Sequence, residues 1–273
     1  MFEQRRSSSR GYAAFRLGEL IFHSAARHTR RSHGNALMAL GMAMMQTIIF
    51  VAAFYLMFTL IGMRGAPIRG DFVLFLLSGI FLFMTHIKTV AAVTGADGPA
   101  SQMMKHAPMN SLVAIASAAL SVLYIQTLSV LVILFGVHVL LNPVEIHQPI
   151  GALMTFLLAW LSGVGVGMVF YAIKPWLPNF ATVGSTIYSR VNMIASGKMF
   201  AANMMPGWLI GMFAWNPLFH AIDQCRGYVF VNYNPHHTSW SYTLIVAVVL
   251  IVLGLMGEFY TRRRASLSWF ASR

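Results

Sequence analysis

Long runs of apolar residues constrain this chain more than any other feature. Residues 36–63 carry no charged side chain, and further apolar runs follow at about 72–93, 111–141, 151–173, 181–200 and 242–260. A helix needs about 20 residues to cross the hydrocarbon core of a bilayer, whereas the apolar core of a secretory signal peptide has only about 7–15. The sequence therefore predicts an all-α, polytopic membrane protein with six transmembrane helices.

Composition excludes a water-soluble globular protein. Hydrophobic residues make up 58% of the 273-residue chain, charged residues only 10%, and the mean hydropathy is +0.67. An ordinary soluble domain has about 25% charged residues. The single cysteine, Cys225, excludes a disulfide within the chain, and neither it nor the ten histidines form a metal-binding pattern. We therefore predict no metal site and no catalytic residue.

The net charge of +12 is explained by membrane topology. With six spans, thirteen of the nineteen Lys and Arg residues lie on the side of the two termini, and three lie on the opposite side. Such a bias follows the positive-inside rule, which predicts that both termini lie in the cytoplasm. Anionic lipids of the inner leaflet account for the basic N-terminus without nucleic-acid binding.

The segment 201–228 is predicted to enter the membrane without crossing it. Its apolar part, 201–215, is too short for a span, and Pro206-Gly207 interrupts it. A seventh span would also place Arg262–Arg264 on the outer side. We expect a re-entrant helical hairpin before the last span, in a chain organised as a cytoplasmic basic tail with an amphipathic interfacial helix (1–35), a transmembrane domain (36–262) and a cytoplasmic tail (263–273).

Two cytoplasmic segments are candidates for contact with membrane or protein. Tyr12, Phe15, Phe22 and Ala26 recur at near-helical spacing, which favours an interfacial helix, although a disordered basic tail is the alternative. The loop 94–110 has turn residues at its start and Pro108 near its end, around a short stretch that could be helical. This loop is the predicted docking surface for a soluble partner, with a plain connector as the alternative.

Polar groups within the predicted spans are candidates for a substrate channel. Arg190 falls near the middle of the fifth span, where an ionisable side chain has to face protein, a pore or an anionic ligand. Tyrosines within the spans combine an aromatic face with a hydroxyl, which suits a sliding sugar, although helix packing is the commoner explanation of such residues. The candidate channel residues are Arg190, Tyr188, Tyr171, Tyr124 and Tyr55.

Two glycine-containing motifs do not form nucleotide sites. Ser162–Gly167 lies inside a span rather than at a turn between strand and helix, so its small residues predict close helix packing. Ser196-Gly197-Lys198 lacks the other residues of a phosphate-binding loop. The chain is thus predicted to have no cofactor of its own, and energy for any transport would come from a partner.

Two further motifs, Trp215–Tyr228 and Met104–Leu112, carry a resemblance to a known family, the membrane-spanning subunit of ABC-2 type polysaccharide exporters, in particular the capsule-export branch. The stretch Trp215–Tyr228 is similar to the family's Asn-Pro-Leu-x-His signature with its following acidic residue and arginine. Its matching residues are Asn216, Pro217, His220, Asp223 and Arg226. Met104–Leu112 resembles the loop on which the family's ATPase docks, which assigns coupling to Gln102, Met104, Lys105, His106 and Pro108.

The resemblance implies a homodimer bound to two copies of a separate ATPase, which would carry the ATP and Mg. It further implies a location in the bacterial inner membrane, periplasmic and outer-membrane export partners, and a lipid-linked, capsular polysaccharide as substrate. Two alternatives stay open: an ABC-2 permease for a small lipid or drug, and an integral-membrane enzyme acting on a lipid-linked substrate. For an enzyme, His220, Asp223 and Arg226 would be the closest grouping of reactive side chains.

Overall fold

A computed structural model describes Glu19 and residues 36–60, 68, 70–97 and 111–264. The described residues contain α-helices, one short 3-10 helix at Ala202–Met204 and no β-strand. In chain order the eight α-helices of the described residues are α1 (Ala36–Leu60), α2 (Phe72–Thr94), α3 (Ser111–Leu140), α4 (Pro149–Ile173), α5 (Pro178–Ala195), α6 (Gly207–Phe213), α7 (Pro217–Val229) and α8 (Trp240–Arg264). The predicted interfacial helix within 1–35 lies outside the described residues, apart from Glu19.

Five of these helices are long and apolar enough to cross a membrane: α1, α2, α3, α4 and α8. They correspond to five of the six predicted spans, with ends that differ by a few residues. Within the described residues, an all-helical architecture with several helices of membrane-crossing length is therefore confirmed, whereas the count of six spans and the re-entrant hairpin stay predictions. The remaining predicted span, 181–200, needs a correction. The observed helix has other ends, and its length and composition are not those of a membrane-crossing helix.

The apolar run predicts that span over 181–200, but its helix, α5, extends from Pro178 to Ala195 and has only 18 residues. It is not among the helices with membrane-crossing composition. Pro178 occupies the first turn, where its missing N–H costs nothing. The helix ends before Gly197, whose φ of 68° lies in the left-handed region that favours glycine.

The predicted re-entrant segment contains the two short helices α6 and α7. With 7 and 13 residues, they span about 10 and 20 Å at 1.5 Å per residue, too short to cross the hydrocarbon core. Helix α7 packs against α2, α4 and α8. Its side chains at Leu218, Phe219 and Ile222 are fully buried, so the segment belongs to the folded body of the protein.

Helix α2 lies at the centre of the bundle, in contact with α1, α3, α4, α5 and α7. Glycines of α4 allow the helices around it to approach closely. A Cβ at Gly163 would lie 2.8 Å from the carbonyl oxygen of His86 in α2, and a Cβ at Gly165 would lie 3.0 Å from the Ala247 carbonyl oxygen in α8. The motif predicted to serve helix packing does so on two faces of α4.

Candidate functional site

The signature residues of the sequence meet around helix α7. Asn216 precedes the helix and accepts a hydrogen bond from the Leu218 N–H (3.0 Å), while Pro217 occupies the first helical position. The Asn216 amide also donates to the side chain of Asn192 (2.8 Å) and to the carbonyl oxygen of Ala195 (2.9 Å). Asn216 thus caps α7 and joins it to the end of α5.

Arg226, in the last turn of α7, binds the turn that follows α5. Its guanidinium donates to the carbonyl oxygens of Gly197 (3.0 Å), Lys198 and Phe200. The same guanidinium lies 4.1 Å from the centre of the Phe75 ring in α2. Arg226 is 0% exposed, so its charge is balanced by three carbonyl dipoles and an aromatic face.

Asp223, also in α7, binds the segment before the helix and the segment after it. Its carboxylate accepts hydrogen bonds from the Ala202 N–H (3.2 Å), the Thr238 hydroxyl (2.8 Å) and the Tyr233 hydroxyl. Burial, and then the nearby Asp223 carboxylate, raise the pKa of the Tyr233 phenol above its ordinary value. Tyr233 therefore stays protonated and remains a donor to Asp223.

His220 uses both ring nitrogens in structural bonds. Nδ1 accepts from the Ser239 N–H (3.0 Å), and Nε2 lies 2.8 Å from the Ala214 carbonyl oxygen, which requires Nε2 to carry the proton. The ring packs against Tyr242 at 4.5 Å between centroids. A neutral imidazole with both nitrogens occupied has no free position for general acid or base chemistry.

A buried lysine lies beside this cluster in the turn after α5. Lys198 is 1% exposed and donates from Nζ to the Met193 carbonyl oxygen (2.8 Å). Its ammonium sits 3.6 Å from the centre of the Phe83 ring, with Phe54 at 5.5 Å and Phe50 at 5.7 Å. Because these rings belong to α1 and α2, the lysine ties both helices to the turn that Arg226 binds.

A second buried polar group lies deeper in the bundle. His86, in α2, has Nδ1 within 3.0 Å of the Ser162 hydroxyl and 3.1 Å of the Ala159 carbonyl oxygen, both in α4. Its Nε2 lies 2.9 Å from the Tyr188 hydroxyl in α5. Because His86 lies within the central helix α2, this contact places Tyr188, and with it the middle of α5, at the same depth as His86.

Helix α5 presents three different faces. At 100° per residue, Tyr188 and Asn192 lie on the face turned to the bundle. An exposed apolar stripe consists of Phe180, Val183, Ile187, Val191 and Ile194. Between them lies a polar face made up of Thr182, Ser185, Thr186, Ser189 and Arg190, of which Thr182, Thr186 and Arg190 are exposed.

On the polar face, the Arg190 guanidinium is the group that finds no hydrogen-bond acceptor within α5. The four hydroxyls donate to backbone carbonyls within α5, at 2.9–3.0 Å. Arg190 is exposed and makes no hydrogen bond or ion pair with the residues that the structure describes. A guanidinium at this depth needs water, an anion or another protein against it.

The other predicted channel residues do not gather on one surface. Tyr171 is buried and donates to the Asp97 carbonyl oxygen (3.0 Å). Tyr124 is exposed on α3, and Tyr55, half exposed on α1, packs against Phe72 at 5.8 Å. Tyr188 and Arg190 share α5 but point in different directions. A common channel role for the five residues stays a prediction.

The remaining site predictions concern coupling and metal binding. The coupling residues Gln102, Met104, Lys105, His106 and Pro108 all lie outside the described residues. Within the part of the chain that the structure describes, His, Cys, Asp and Glu form no group of three or more that could hold a metal ion.

Two buried residues, His86 and Lys198, contribute more to the site than their sequence positions indicate. A position near the end of a span favours a His86 side chain that reaches toward the membrane surface, but His86 is fully buried. Lys198 belongs to a poor match to a phosphate loop, yet it is among the largest fully buried side chains. The sequence signal that could have identified both residues is an ionisable side chain within an apolar run. Burying such a side chain in the membrane costs free energy unless it has partners.

Comparison with known proteins identifies distant relatives. No protein-family model matches the chain. The chain is 23% identical over 198 residues to the polysialic acid transport protein KpsM of Escherichia coli, which covers 72% of this chain and 76% of that protein. A second KpsM from the same organism matches with the same identity and coverage. This similarity confirms the distant resemblance to permeases of ABC-2 type polysaccharide exporters that the motifs around α7 and in the 104–112 loop indicated.

Proposed function

We propose that this protein is the membrane-spanning subunit of an ATP-driven exporter that moves a lipid-linked capsular polysaccharide across the inner membrane. The observation that carries the proposal is the polar face of α5. A helix whose middle lies at the depth of His86 exposes Thr182, Thr186 and Arg190 although the surrounding helices are apolar. Such a surface suits a water-filled path for a hydroxyl-rich polymer.

The working unit we propose is a homodimer with two copies of a separate ATPase. Apposed copies would cover the polar face of α5 and enclose the path between them. The ATPase would dock on the 94–110 loop and on the N-terminal interfacial helix, with both termini in the cytoplasm. Periplasmic and outer-membrane proteins would receive the polymer. The similarity to KpsM supports a transport subunit of this kind.

Two alternative functions are less well supported. A permease for a small lipid or drug would have the same architecture, but the polar face of α5 offers such a cargo little apolar contact. An enzyme would need reactive side chains open to substrate. His220, Asp223 and Arg226 are instead all engaged in bonds that hold α7 to neighbouring segments.

The proposal is tested by deleting the gene in its native host. We expect polymer to accumulate inside the cell, surface polysaccharide to be lost, and the wild-type gene to restore export. The purified chain should hydrolyse ATP only when it is combined with its ATPase. Normal surface polysaccharide in the deletion strain would contradict the export function.

Arg190→Ala is expected to lower export at least tenfold while protein level and ATPase assembly remain as in the wild type. The reason is that an exposed guanidinium without protein partners among the described residues is available to an anionic polymer or to its lipid phosphate. Surface polysaccharide and complex yield are the two measurements. Arg263→Ala, which removes the same charge from an exposed position near the end of α8, is the control and should leave export unchanged. Equal loss of export and assembly would show that Arg190 is structural.

A further inference from the structure

An apolar groove lies between α4 and α8, at the end of α8 that carries Arg262–Arg264. Its volume is about 410 Å³, and its lining includes Ala172, Trp176, Gly257, Tyr260 and Thr261. Both helices have membrane-crossing length and composition. The groove therefore opens toward the acyl chains of the surrounding bilayer, close to the membrane surface that the arginines mark.

Close packing gives the groove a fixed shape. A Cβ at Gly257 would lie 2.7 Å from Ala172 Cβ, so glycine at this position lets α8 and α4 touch along the floor of the groove. Trp176 donates from Nε1 to the Thr261 hydroxyl (3.0 Å). Its ring stacks on Tyr260, with 5.9 Å between centroids and 28° between planes. An acyl chain would enter a preformed site.

A cation lies against one of the residues that line the groove. The guanidinium carbon of Arg264 lies 4.4 Å from the centre of the Tyr260 ring, on the layer that Tyr260 forms with Trp176. Arg264 is exposed and forms no ion pair with a described carboxylate. The neighbouring Arg263 is also exposed, but it packs on Phe259, which does not line the groove. Only one of these two arginines is thus placed beside the groove.

We propose that this groove binds one anionic bilayer phospholipid, with an acyl chain between α4 and α8 and the phosphate against Arg264. The pairing of an apolar groove with a cation that has no carboxylate partner among the described residues fits this chemistry, since a basic residue near a membrane surface attracts anionic lipid. None of the lining residues belongs to α5. We therefore assign the groove to a lipid of the bilayer rather than to the lipid anchor of transported polymer, and the assignment does not depend on the proposed function.

Tryptophan quenching tests the site in the full-length protein. The protein is placed in nanodiscs that contain phosphatidylglycerol or phosphatidylcholine with brominated acyl chains, which quench a tryptophan in contact with them. The contribution of Trp176 is the difference between the wild type and Trp176→Phe. We expect brominated phosphatidylglycerol to quench this contribution with about fivefold higher apparent affinity than phosphatidylcholine, which corresponds to about 1 kcal/mol.

Two matched substitutions separate a site from diffuse attraction. Arg264→Gln should abolish the preference for phosphatidylglycerol, and Arg264→Lys should keep part of it. Arg263→Gln removes the same charge from the next position and should leave the preference unchanged. Thermal unfolding of each variant provides the folding control, since these exposed side chains should barely alter stability.

Three outcomes would overturn the proposal. Equal quenching of Trp176 by the two lipids would mean that the groove holds ordinary annular lipid. Equal losses in Arg264→Gln and Arg263→Gln would mean that the arginines attract anionic lipid without a defined site. A preference for phosphatidylglycerol that persists in Trp176→Phe would place the bound lipid elsewhere on the protein.

Discussion

Arg226→Met is expected to lower the thermal midpoint of the purified protein by about 10 °C or to prevent its accumulation in the membrane. Methionine fills a similar volume but leaves the carbonyl oxygens of Gly197, Lys198 and Phe200 without their donor. An unsatisfied buried polar group costs about 1–3 kcal/mol, so the total loss is on the order of 4 kcal/mol. The measurement is thermal unfolding in detergent, read by size-exclusion chromatography.

The matched control for Arg226→Met is Arg190→Met. It removes the same charge from an exposed position and should leave the thermal midpoint close to that of the wild type. Arg226→Lys should be intermediate, because an ammonium reaches fewer of the three carbonyls and stacks less well on Phe75. Wild-type stability in Arg226→Met would contradict a structural role for the guanidinium.

Asp223→Asn is expected to destabilise the protein by about 2–3 kcal/mol. One carboxylate oxygen accepts from both the Ala202 N–H and the Tyr233 hydroxyl, and the other accepts from Thr238. An amide has a single acceptor oxygen, so its NH₂ group would face at least one donor. Thermal unfolding and protease sensitivity of the α7–α8 connection would both report the change.

A double-mutant cycle with Tyr233→Phe isolates the central bond. Asp223→Ala and Tyr233→Phe each remove the Asp223–Tyr233 hydrogen bond, so the double variant should lose clearly less than the sum of the two single losses. Gln224→Ala is the neighbouring control, since Gln224 bonds Thr238 from a half-buried position. Strict additivity of the two substitutions would show that Asp223 and Tyr233 act independently.

Both Arg226 and Asp223 belong to the motif that resembles a family signature. In the structure, Asn216, His220, Asp223 and Arg226 all hold α7 to segments before and after it through hydrogen bonds. These hydrogen bonds are therefore a sufficient structural explanation for the signature residues. The proposed contact with polymer falls instead on the polar face of α5, where Arg190 is exposed.

Apolar run length predicted most of the architecture. Five runs appear as helices of membrane-crossing length, and the Ser162–Gly167 motif packs closely against α2 and α8, as its small residues indicated. The ends of the helix in the fifth run could not be predicted from apolar run length. The predicted span continues past Ala195 to Phe200, but Gly197 takes a left-handed conformation that ends the helix, and distant Arg226 binds the turn.

The sequence by itself determined the membrane environment, the helical class and the regions that could carry transport, because hydrophobic run length and charge distribution are local properties of the chain. Only the tertiary structure decided which polar residues are structural and which are available. Lys198 and Arg190 are both cations of the predicted fifth span, yet one is enclosed by three phenylalanine rings and the other is exposed. The partners of a buried charge come from helices far away in the chain, and no local pattern encodes them.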